Sequence, residues 1–161
     1  MDALQPPQSR TEIYESLQAE LGSIMAGETN MTARLASTAC LLAQAFQPRF
    51  FWTGFYLCDP MKPGELVVGP YQGTLGCLRI PFGKGVCGAA ASQGRTLIVP
   101  DVHAFPGHIA CDSRSQSEIV VPIFDQAGTI YGVLDVDSTE RDAFDQTDAD
   151  ALECLVAGLV L

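Results

Sequence analysis

The sequence predicts an α/β domain of the α+β kind: one central, mainly antiparallel sheet with N- and C-terminal helices packed on one side. Three observations carry this. Helix-period segments stand at both ends of the chain, strand-like segments fill its middle, and Gln126-Ala127-Gly128 joins two of those segments as a hairpin.

Residues 1–10 are polar, contain Pro6 and Pro7, and are expected to form a loose leader, which leaves 11–161 as the domain. From Thr11 to about Phe46, Ile13, Leu17 and Leu21 form one helical stripe, and Leu35, Cys40, Leu42 and Phe46 form a second. Residues 26–30 separate these helices and Pro48 ends the second. Strands are then expected over 50–57, 65–73 and 77–82. A short helix between the glycines of 83–94 follows, and then a strand over 96–101. Residues 102–117 read as a 16-residue irregular loop. A loop of that length in a small domain needs a reason, and function is the usual one. Strands at 118–125 and 129–138 and a helix over 144–161, with Leu152, Leu155 and Leu159 on one stripe, complete the order.

The bulk composition narrows the function. With 161 residues, 47% hydrophobic, the chain suits a single core. Its net charge of −10 opposes a phosphate backbone or an anionic membrane, so neither nucleic acid nor membrane is an expected partner. No stretch nears the ~18 apolar residues of a membrane span. The start, MDALQPPQSR, lacks a basic and then apolar run, so a cytoplasmic protein with cysteines reduced at rest is expected.

The long loop supplies a candidate nucleophile. Cys111 lies in His-Ile-Ala-Cys-Asp-Ser, a polar setting that favours an exposed, reactive thiol, although an inert loop cysteine fits the same pattern. Cys77 and Cys87 both stand beside glycines, and either thiol is open to meeting Cys111 across the fold. Cys40, Cys58 and Cys154 read as packing residues. Asp135 and Asp137 are two apart on one strand and so share a face, and Glu118 begins the strand that pairs with it. Crowded carboxylates repel, and one can keep a proton near neutral pH; a solvated strand end is the plainer reading. Trp52 and Tyr56 share another strand face and either wall a pocket or belong to the core. His103 and His108 with Cys111 lack metal-ligand spacing, so no metal is expected there. GKGVCG lacks the P-loop pattern.

These motifs coincide with a family. DVHAFPGHIACDS (101–113), SEIVVPI (117–123), GKGVCG (83–88), GPYQG (69–73) and LDVDS (134–138) closely resemble the free methionine-R-sulfoxide reductases, which are GAF-domain enzymes. The resemblance is strong over about Phe50 to Ser138. It implies a GAF-type sheet, a catalytic cysteine at Cys111, a resolving cysteine at Cys77, and Cys87 as the third family cysteine. It also assigns Glu118, Asp135 and Asp137 to the sulfoxide side and Trp52 and Tyr56 to the substrate pocket. The implied substrate is free methionine-R-sulfoxide, with a thioredoxin-like donor recycling an intramolecular disulfide and no cofactor.

The rival class is a GAF sensor that binds a small ligand or reports redox state without turnover, since the fold hosts both roles. A sensor usually feeds an output domain, and it has no need of three cysteines beside a carboxylate cluster. The apolar stretch Leu155–Leu161 allows a partner surface, hence a homodimer.

Overall fold

The computed structural model describes residues 8–161. Along them run α1 (Arg10–Ile24), α2 (Met31–Ala45), β1 (Trp52–Cys58), β2 (Glu65–Gln72) and β3 (Arg79–Pro81). They are followed by α3 (Gly85–Gln93), β4 (Leu97–Val99), a 3-10 turn (Val102–Ala104), β5 (Ser117–Phe124), β6 (Ile130–Ser138) and α4 (Gln146–Ala157). The strands form one sheet in the order β3-β2-β1-β6-β5-β4, and every neighbouring pair is antiparallel. Among the described residues no helix is long and apolar enough to cross a membrane.

Of the expected leader, residues 1–7 lie outside the described residues. Its last residues belong to the helix. Glu12 N–H donates to Ser9 Oγ while Ser9 N–H donates to the Glu12 carboxylate at 2.7 Å, a capping box that starts α1 at Arg10 rather than Thr11. Asn30 caps α2 in the simpler way. Asp145 and Asp148 form a second capping box on α4.

Several strands are shorter than the sequence predicts, each for a local reason. The segment expected over 77–82 pairs only at Arg79–Pro81, because Cys77 is drawn off to a disulfide. β4 stops at Val99 because Pro100 has no N–H for the ladder and Asp101 turns to cap the next helical turn. Phe50 N–H donates back to Phe46 O, so β1 begins only at Trp52. Cys154, expected to pack, is exposed.

Strand alternation divides the chemistry. On β5 and β6, Ile119, Val121, Ile123, Leu134 and Val136 face one side, where they bury against α1, α2 and α4 through Leu17, Leu42 and Leu152. Each such buried side chain contributes about 1.5–3 kcal/mol. The intervening residues face the other side, where α3 packs Val86, Cys87 and Ala90 against Val120 and Val133. That second face is where Glu118, Asp135 and Asp137 emerge.

A pocket of thiols and buried carboxyls

Between this face of the sheet, the first turn of α3 and the 102–117 loop lies a pocket of about 500 Å3, counting its open mouth. Trp52, Tyr56, Cys87, Cys111, Glu118, Asp135 and Asp137 all line it. The sequence thus supplied these residues from five separate segments, and the fold brings them to one place. Cys77 does not line the pocket. It is disulfide-bonded to Cys111 at a Cα–Cα distance of 5.3 Å, across 34 residues of sequence.

The β5–β6 register sets the acidic side. Glu118 pairs opposite Asp137, and Asp135 lies opposite Val120, one position further along the same face. Glu118 and Asp135 are each 6% exposed, and Asp135 Oδ1 has no hydrogen-bond partner. Burial is the main cause that raises the carboxyl pKa of Glu118, and the charges of Asp135 and Asp137 add to it. Burial likewise raises Asp135, with Asp137 next. Asp137 is pushed up to about 7 by burial and by Asp112, against a hydrogen bond from Ser115 that favours its charged form. His108 Nε2 stands 3.8 Å from Glu118 Oε2, but burial lowers the imidazole pKa and so weakens it as a counter-charge. Burial and mutual repulsion thus both favour the protonated forms in this cluster.

Cys87 shares that floor. Its thiol donates to Glu118 Oε1 at 3.9 Å, and burial first, then the charges of Asp135 and Glu118, raise its pKa well above the usual value. A thiol kept protonated is a poor nucleophile. Cys111, by contrast, sits exposed on the loop at the pocket wall.

The aromatic wall is a stack. The Trp52 ring lies 5.7 Å from that of Tyr56 and 5.1 Å from that of Tyr71. Gly54 makes room for it: a Cβ there would collide with Tyr71 Cβ and approach Trp52 Cη2 to 2.9 Å. Trp52 Nε1 donates to Thr74 O at 2.9 Å, which ties the wall to the segment leading into Cys77.

Sequence reasoning missed Thr74, Asp112 and Ser115. Asp112 accepts from Thr74 Oγ1 and from the Arg114 guanidinium, which holds its carboxyl well below the usual range. The one available signal was Asp112 two residues before Arg114, and it says nothing of Thr74. His103 and His108 do not converge with Cys111 as a ligand set. Among the described residues the group that brings potential metal ligands together is Cys87, Glu118 and Asp135.

A six-stranded antiparallel sheet with α1, α2 and α4 on one face, and α3 beside a pocket joined to a disulfide on the other, defines a GAF-type domain. The chain belongs to the GAF-domain family, whose profile matches residues 9–160. Within it, the chain groups with oxidoreductases. It is 44% identical to the free methionine-R-sulfoxide reductase of Escherichia coli, over 94% of this chain and 88% of that one. It is 51% identical to GAF domain-containing protein A of Dictyostelium discoideum, over 87% and 85% of the two chains. Among solved structures it resembles the free methionine-R-sulfoxide reductase of Neisseria meningitidis in complex with its substrate. There the TM-score is 0.90 and the identity 48%, covering 99% of this chain and 93% of that one.

Proposed function

We propose that this protein reduces free methionine-R-sulfoxide to methionine, with Cys111 as nucleophile and Cys77 as resolving thiol. The observation that carries the reading is the convergence of Cys111 with the buried Glu118 and Asp135 and the half-buried Asp137 in one pocket, while Cys111 is bonded to Cys77 outside it.

The Cys111 thiolate attacks the sulfoxide sulfur, and the oxygen takes a proton from the carboxyl cluster. Asp137, pushed up to about 7, is the group best placed to give a proton at neutral pH and regain one afterwards. The hydroxyl passes from the methionine sulfur to the Cys111 sulfur as the bond between the two sulfurs breaks, so methionine leaves and Cys111 carries a sulfenic acid. The Cys77 thiolate displaces water from that sulfur to form the disulfide. A thioredoxin-like dithiol then supplies two electrons by exchange and restores both thiols. Each turnover thus converts one sulfoxide and two thiols into methionine, water and a disulfide. Cys87 has no step in this scheme.

Substrate choice follows from the walls. Trp52 and Tyr56 suit the methyl-sulfur end, and the carboxyls suit the sulfoxide oxygen and the ammonium. The first turn of α3 contributes Gly85 and Val86 to the lining and has no side-chain cap at Lys84, so a positive helix end faces the substrate carboxylate. A methionine sulfoxide within a polypeptide lacks both free charges. The same thiol chemistry suits a cytoplasmic, reducing compartment.

The test is NADPH consumption with thioredoxin and its reductase, comparing free methionine-R-sulfoxide, the S epimer and N-acetyl methionine sulfoxide amide. Free R epimer should win by about 100-fold or more in kcat/KM. Equal rates on the blocked substrate would refute the zwitterion pocket.

A further inference from the structure

The floor of the pocket has a coordination chemistry that the reduction does not use. We infer that Cys87, Glu118 and Asp135 form a binding site for Zn2+ or a similar borderline-soft divalent cation, whose occupation blocks the pocket. That cation binds there does not depend on the proposed function; that it competes with substrate does.

Geometry comes first. The nearest ligand atoms of the three side chains all lie within 4.8 Å of one another, and all three residues are buried. Tetrahedral zinc with a thiolate arm of about 2.3 Å and carboxylate arms of about 2.0 Å needs sulfur and oxygen about 3.5 Å apart. Cys87 Sγ and Glu118 Oε1 are 3.9 Å apart, so small side-chain adjustments reach that spacing without moving the backbone.

A second feature points to a ligand. Asp135 is 6% exposed, lines the pocket, and leaves Oδ1 without a hydrogen-bond partner. A buried acceptor left unpaired costs about 1–3 kcal/mol, and a cation would satisfy it. The surrounding charge is one-sided. Asp137 stands across the ladder from Glu118, the sole ion-pair partner of Glu118 is His108 at 3.8 Å, and no lysine or arginine pairs with any of the three carboxyls among the described residues.

The donor set is one soft thiolate with two hard carboxylates, leaving a fourth position for water or for His108. This favours zinc over magnesium or calcium, which seek only oxygen. Binding expels the Cys87 proton and the protons held by the carboxyls to solvent, so nothing is oxidised or reduced. A sulfoxide oxygen needs these carboxyls with a proton to give, and the cation needs them without one, so cation and substrate compete for the same side chains.

The test uses oxidised protein with the Cys77–Cys111 disulfide closed, carrying C40S, C58S and C154S so that Cys87 is the sole free thiol. Co2+ serves as the spectroscopic probe. We expect one Co2+ per chain, a thiolate-to-cobalt charge-transfer band in the near ultraviolet, displacement of that band by Zn2+, and its decline as free methionine-R-sulfoxide is added. Cys87→Ser should abolish the band. Asp135→Asn and Glu118→Gln, with folding checked by circular dichroism, should each weaken binding by about tenfold or more. No charge-transfer band, or a band that survives Cys87→Ser, overturns the site. A band insensitive to saturating substrate overturns the competition. Turnover in chelator-treated buffer tests the reductase reading separately.

Discussion

Thr74 and Asp112 fasten together the two segments that carry the paired cysteines. Thr74 Oγ1 donates to Asp112 Oδ2 at 2.7 Å, three residues before Cys77 and one after Cys111. The pairing of the sulfurs is thereby held partly by groups that take no part in the chemistry.

Removing that tie should separate the two stages of the cycle. Thr74→Val should leave release of the first methionine nearly unchanged and slow disulfide closure by about tenfold, the worth of one hydrogen bond to a charged group. Rapid-quench alkylation, counting free thiols against methionine released, reads both rates. Equal slowing of both would show that Thr74 shapes the pocket rather than the closure.

The two paired cysteines should fail differently. Cys111→Ser should show no methionine release, since a hydroxyl is far the weaker nucleophile. Cys77→Ser should release about one methionine per chain and then stall with thioredoxin. Sustained recycling in Cys77→Ser would transfer the resolving role to Cys87, whose burial and raised pKa argue against it.

Asp137 links activity to stability with opposite signs. Because its carboxyl is pushed up to about 7, the folded protein retains a proton that the unfolded chain loses near pH 4. The folded state thus binds this extra proton between those values, and the share of stability set by Asp137 falls as pH rises through that window and levels above pH 7. Asp137→Asn should remove this fall and raise stability at pH 8 by about 1 kcal/mol or more, roughly 3 °C in Tm. It should also slow the first methionine release, whose wild-type rate should decline above pH 7. Thermal melts at pH 5 and pH 8 for both proteins check the first claim; a Tm difference independent of pH would contradict it.

Gly54 is predicted to be intolerant of a methyl group. Gly54→Ala forces a Cβ into Tyr71 and the Trp52 ring, so the aromatic wall must shift. We expect a loss of about 1–3 kcal/mol by urea denaturation and a KM for free sulfoxide raised severalfold. An unchanged KM in a destabilised variant would mean that the wall is core rather than substrate surface.

The alternation on β6 was legible in the sequence, because a period of two assigns Asp135 and Asp137 to one face whatever lies beyond; that Glu118 shares it came only with the β5–β6 register, which sets Glu118 opposite Asp137. Trp52 and Tyr56 were legible for the same reason. The partner of Cys111 was not. Cys77 and Cys87 both stand beside glycines, and only the placement of α3 turns Cys87 into the buried floor. Loop groups such as Thr74 and Ser115 gain meaning only from the path of a loop with no periodicity.

Helix stripes told of the core but not of its polar seams. Cys154 stands two residues from Leu152, about 200° around the helix, so it belongs to the outer side. Arg34 and Asp148 sit at stripe positions as buried charges. Arg34 donates to the carbonyls of Met25, Glu28, Gly158 and Leu159, and Asp148 receives Arg10, Arg49 and Tyr14. Such long-range partners, from 99 to 138 residues away for Asp148, leave no local pattern.

The Cys77–Cys111 bond also closes a loop spanning 34 residues of sequence. A cross-link of that span restricts the unfolded chain by about 3–4 kcal/mol. On the proposed cycle, molecules waiting for a reductant are then the heat-resistant ones, and molecules ready for substrate are the fragile ones. The melting profile of the population becomes a gauge of supply against demand: scarce electrons toughen the enzyme, and scarce sulfoxide leaves it soft.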